Sequence, residues 1–103
     1  MKDGTYQYEL EMAAPLGRRR GKLELIIEKN WINGYLTMFT RTVPIRGGVL
    51  VGNQISFEGE MITVMNRLPY KAKGTISLSG VELTLTTDKG EYPVKGTLAE
   101  MRG

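Results

Sequence analysis

The residues able to do chemistry here are tyrosine, arginine, glutamate and methionine, because the 103-residue chain has neither histidine nor cysteine. That removes the commonest general base, the best nucleophile and the usual zinc ligands. Ser-His-Asp, Cys-His and zinc-hydrolase chemistry are therefore excluded. Glu9, Glu24, Glu58 and Glu60 alternate with apolar residues and take the outward parity. No inward pair of carboxylates is evident, so glycosidase-type chemistry has no support. No catalytic residue, metal ligand or cofactor site is identified. An enzyme of the cyclase or isomerase kind, with Tyr and Glu passing protons, stays open as a minor alternative.

Two constellations remain. In the first, Met12, Met38 and Met61 each end an odd-numbered strand in the inward parity, while Arg19, Arg41 and Arg67 fall in or beside the connections that follow. Methionine adapts to variable apolar partners, and arginine presents a planar fork to carboxylate or phosphate. Tyr8, Tyr70 and Tyr92 are inward residues whose hydroxyls could orient a ligand. Together these suit a small apolar or amphipathic anion, such as a fatty or aromatic acid. The same residues also suit ordinary core and solvated-loop roles. The second constellation is Trp31, Tyr35 and Phe39 on the outward parity of one strand, with Ile26 on the neighbouring strand. Aromatic residues on an outer face mark a partner surface, and a homo-oligomer is its simplest use. Coverage by loops of the same chain is the alternative.

The elements that must position these residues are strands. Tyr6 to Met12, Leu23 to Ile27, Ile55 to Met61, Tyr70 to Ile76, Val81 to Leu85 and Tyr92 to Leu98 all alternate with period two. Such alternation gives one dry face and one wet face. Two further strands run from Trp31 to about Thr40 and from about Thr42 to Val49. Lys29-Asn30, Val51-Gly52-Asn53, Ser79-Gly80 and Asp88-Lys89-Gly90 carry turn chemistry. Short connections make consecutive strands antiparallel neighbours. The pattern predicts a single all-β domain over residues 1–103, an eight-stranded up-and-down meander barrel. Ala13–Arg20 and Ile62–Arg67 read as its longest loops, both at one end, which makes that end the candidate mouth. Inward Gly34, Gly59, Gly74 and Gly96 serve either sharp coiling of the strands or a cavity.

In its meander pattern the chain resembles the small bacterial calycin-like barrels, of lipocalin and streptavidin architecture. The residues that carry the likeness are Asp3-Gly4-Thr5-Tyr6, Gly52-Asn53-Gln54-Ile55-Ser56-Phe57-Glu58-Gly59 and Lys95-Gly96-Thr97. The lipocalin Gly-x-Trp of the first strand is missing, since Trp31 opens the third. The resemblance implies a barrel that often holds a small ligand; it transfers no binding residues.

A net charge of +3 is ordinary for a globular chain, so no nucleic-acid partner is expected. Aromatic stacking of bases on the third strand is weighed lower, because only Arg41 lies near it. No apolar stretch spans a bilayer and no signal peptide is visible at Met1-Lys2-Asp3-Gly4, so no membrane partner and a cytoplasmic location are expected.

Overall fold

The computed structural model describes residues 1–14 and 17–103, with the backbone alone at residue 14. Alternating sequence becomes strand throughout: β1 (Gly4–Ala14), β2 (Gly17–Glu28), β3 (Trp31–Met38), β4 (Arg41–Pro44), β5 (Arg46–Val51), β6 (Gln54–Ile62), β7 (Arg67–Ile76), β8 (Val81–Thr87) and β9 (Gly90–Arg102). Every pairing is antiparallel. The β1–β9 and β2–β3 ladders close the sheet on itself. β4 and β5 pair with successive parts of β3 and act as one stave broken at Ile45. The result is the expected eight-stranded up-and-down barrel.

Closure buries the inward parity. Leu10, Met12, Leu23, Leu25, Ile27, Leu36, Met38, Ile55, Phe57, Met61, Leu83, Leu85 and Val94 are all in the core. Each fully buried side chain of this size contributes about 1.5–3 kcal/mol. No charged side chain is buried among the described residues. Tyr70 packs edge-on against Phe57, with ring centroids 6.0 Å apart.

The inward glycines favour coiling over a cavity. At Gly34 and Gly74 the chain presses against the backbone carbonyls of Glu24 and Glu82 across the ladder, so no Cβ fits. At Gly59 and Gly96 neighbouring side chains take up the space. The Tyr70 hydroxyl lies 2.9 Å from where a Gly59 Cβ would sit, and Leu10 Cδ2 lies 2.6 Å from that of Gly96.

Three local expectations change. The Ala13–Arg20 loop is instead strand: β1 and β2 are paired out to Ala14 and Gly17, which places Arg18, Arg19 and Arg20 on β2. Pro15 and Leu16 of that stretch lie outside the described residues. Cross-strand pairing decided this, because the ribbon continues past the barrel rim by pairing with itself alone. The third strand stops at Met38, not Thr40, because Phe39 and Thr40 both turn into the left-handed region (φ 53° and 62°). Lastly, the two ends do not differ in described turn length. Thr63–Asn66 at one end matches Ser77–Gly80 at the other, each closed by a backbone hydrogen bond of 2.8 Å.

Candidate functional site

The inward residues of the first constellation are core. Met12, Met38 and Met61 are buried, and Met38 lies against Gly21 of β2. The five principal clefts among the described residues are lined mainly by outward-facing side chains. None of these clefts brings the three methionines together, and only Met12 lines one of them, beside Glu11, Ala13, Arg18, Pro93 and Lys95. The register explains why: Met61 faces Leu68 and Met12 faces Val94, so each methionine ends a packed row.

The tyrosines separate. The Tyr8 hydroxyl donates to the Ser77 carbonyl at 2.7 Å, and the Tyr6 hydroxyl donates to the Lys2 carbonyl at 2.6 Å. Both hydroxyls are used to close the end that holds the chain termini. Burial, with Tyr6 beside it, pushes the Tyr8 phenol up to about 12. Tyr92 is half-buried and packs against the core. Tyr70 is different. It is buried and its phenol is pushed well above the ordinary value, an effect that the nearby Arg46 guanidinium opposes. Its hydroxyl makes no hydrogen bond among the described residues and is not sealed from solvent. It sits where β4 and β6 run side by side without ladder pairing. Arg46, Gly59 and Tyr70 help line an outer cleft of about 280 Å³ there. Arg46 was not among the arginines singled out from the sequence. Only the break of the stave at Ile45 puts it beside Tyr70.

Arg19, Arg41 and Arg67 are exposed and lie at one end of the barrel, without converging on a cavity. Arg19 is the register partner of Met12, on the part of β2 that extends past the rim. Arg67 pairs with Glu60 at 3.3 Å. At the same end Arg18 of β2 pairs with Glu11 at 2.7 Å, and this guanidinium holds the Glu11 carboxyl below the usual carboxylate range.

The second constellation is a continuous outer patch. Trp31 is 66% exposed, Tyr35 45%, Ile26 40% and Val51 64%. Ile26 faces Asn33, so its diagonal neighbours on β3 are Trp31 and Tyr35. On the other side Val49 lies opposite Trp31, and Pro44 lies opposite Tyr35. Phe39 leaves the patch. Its left-handed backbone swings it off the strand, and it packs against the core instead. Val51, Val49 and Pro44 were missed from the sequence, because the broken stave that carries them hides its alternation.

The opposite outer surface offers a larger groove of about 640 Å³ beside β1, β8 and β9. Its charges alternate in sign across the strands: Arg20, Glu11, Lys95 and Glu82 share one row. Such a row satisfies itself and shows no preference for a ligand of either sign.

No family model, no curated protein and no solved structure matches this chain.

Proposed function

We propose that this protein is a non-catalytic interaction module that docks a second copy of itself through the outer face of β2, β3 and β5. The observation that carries this is Trp31, a tryptophan two-thirds exposed at the middle of an apolar patch on a barrel whose other outer strands carry alternating charge. Tryptophan and tyrosine dominate interface energetics. Trp31 and Tyr35 offer on the order of 200 Å² of free surface between them. A stable interface needs about 800 Å² from each partner, so the pair forms the centre of a contact and the surrounding residues its rim. A two-fold arrangement lets one such patch cover its own copy.

Light scattering of the wild type and of Trp31→Glu tests this. The expected result is a concentration-dependent dimer that becomes monomeric in the variant. An unchanged mass in Trp31→Glu removes the proposal.

A second reading rests on Tyr70. A tyrosine with a buried ring, whose hydroxyl has no partner among the described residues and opens to the cleft beside Arg46, suits the carboxylate of a small amphipathic acid. In this form the ligand sits at the seam between β4 and β6 and not within the methionine-lined end, in keeping with the small-ligand habit of calycin-like barrels. A melting-temperature panel of fatty and aromatic acids checks it: a rise in the wild type should vanish in Tyr70→Phe.

A further inference from the structure

Val64 and Met65 stand at the tip of the β6–β7 turn, 97% and 88% exposed. The turn that holds them is well tied. The Thr63 amide donates to the Asn66 carbonyl at 2.8 Å, and the Thr63 hydroxyl accepts from the Asn66 amide at 3.1 Å and the Met65 amide at 3.3 Å. The two apolar side chains are therefore displayed outward by a hydrogen-bonded turn. Turn tips ordinarily use Gly, Asn, Asp, Ser or Pro, which place no apolar surface in water. At the far end of the barrel the turns use Asn30, Gly52, Asn53, Ser77, Ser79 and Gly80, and the one apolar tip among them, Leu78, is 54% exposed against 97% and 88% here.

Cations stand at the same end of the barrel as this tip. Arg67 opens β7 immediately after the turn, and Arg41 opens β4, which runs beside β6. Lys89 sits in the next turn along the rim. Among the described residues, Arg41 and Lys89 have no ion-pair partner within 4.0 Å. Counted over the whole end, Arg18, Arg19, Arg20, Arg41, Arg67 and Lys89 stand against Glu11, Glu60, Asp88 and Glu91. The balance is positive and mostly unpaired.

We propose that this end of the barrel docks on an anionic lipid bilayer, with Val64 and Met65 entering the interface and Arg41, Arg67 and Lys89 meeting the headgroups. A planar surface that is apolar inside and negative outside complements a projecting apolar tip with cations at the same end of the barrel. A protein groove would ask for broad contiguous apolar area, which the Trp31 face has and this tip lacks. Such docking needs no apolar run long enough to span a bilayer, so the absence of one in the sequence does not bear on it. The small excess of positive charge makes the association weak, reversible and sensitive to salt.

The test is flotation of the full chain with vesicles of phosphatidylcholine alone and of phosphatidylcholine mixed with phosphatidylglycerol. The expected result is binding to the mixed vesicles only, lost on adding salt. Val64→Ser/Met65→Ser should reduce binding several-fold with its melting temperature unchanged, and Arg41→Gln should reduce it about fivefold. No binding to the mixed vesicles overturns the proposal, and so does wild-type binding by Val64→Ser/Met65→Ser, which would leave charge alone as the cause. Trp31→Glu separates the two surfaces. It should disperse the dimer and still float, whereas loss of flotation in this variant would assign lipid contact to the aromatic face and overturn the assignment to the tip.

Discussion

The two ends of the barrel differ in how far they are tied across elements. At the end that holds the termini, backbone and side-chain groups are tied across elements. The Lys29 amide donates to Asp3 Oδ1 at 2.8 Å, the Leu50 amide to the Asn30 carbonyl at 2.9 Å, and the Ile76 amide to the Asn53 carbonyl at 2.9 Å. Tyr6 and Tyr8 add their hydroxyls to the same end. Lys29 at the tied end is left-handed, whereas at the other end two successive non-glycine residues, Phe39 and Thr40, occupy that region and Thr40 is β-branched. Val64 and Met65 project into water at the same end, and Leu78 projects less at the tied one. Among the described residues, the tied end carries one left-handed non-glycine residue and one exposed apolar turn residue, Lys29 and Leu78, and the other end carries two of each. Such local costs collect where a surface has another use.

Four substitutions break or sharpen this contrast. The largest effect belongs to the tied end. Gly74→Val forces a side chain against the Glu82 carbonyl and should destabilise by roughly 3 kcal/mol in urea unfolding. Next is Tyr8→Phe, which should cost about 1 kcal/mol at neutral pH by removing the bond to Ser77. Its pH dependence is more telling. The unfolded phenol titrates near 10.0 and the folded one near 12. Between these values the unfolded chain gives up a proton that the folded chain keeps, so wild-type stability holds below pH 10.0 and falls as pH rises toward 12. Tyr8→Phe should lose less stability over that window than the wild type. At the other end the sign reverses. Thr40→Gly relieves a β-branched residue from the left-handed region and should stabilise by about 1 kcal/mol, read as a higher melting temperature. The smallest effect is that of Val64→Ser/Met65→Ser, whose side chains touch almost nothing. Stability should stay within about 0.5 kcal/mol, which leaves flotation as the property that changes. A loss of stability in that variant would erase the contrast between the ends.

Much of this was legible in the residues. Tyr6, Tyr8, Leu10 and Met12 alternate cleanly, and all four are core. Trp31 and Tyr35 interrupt a wet face, and both are exposed. The ligand set fared differently. Met12, Met38 and Met61 have the right parity for a lining, but parity says only which side of the sheet a residue faces, not whether that side is empty. Likewise Arg18, Arg19 and Arg20 resemble a loop by composition, yet β1 pairs with them residue for residue.

By itself, the sequence determined the period-two pattern, the short antiparallel connections and hence the barrel, because alternation and turn chemistry are local properties. It also excluded histidine, thiol and thiolate-metal chemistry by composition. Tertiary structure alone decided what fills the interior, how β4 and β5 divide, and that Phe39 folds back on the core. It alone brought Arg46 to Tyr70, and set Arg41 at the same end as the Val64–Met65 tip. These depend on cross-strand register and on left-handed turns, which set neighbours between residues far apart in the chain and leave no mark in its local pattern.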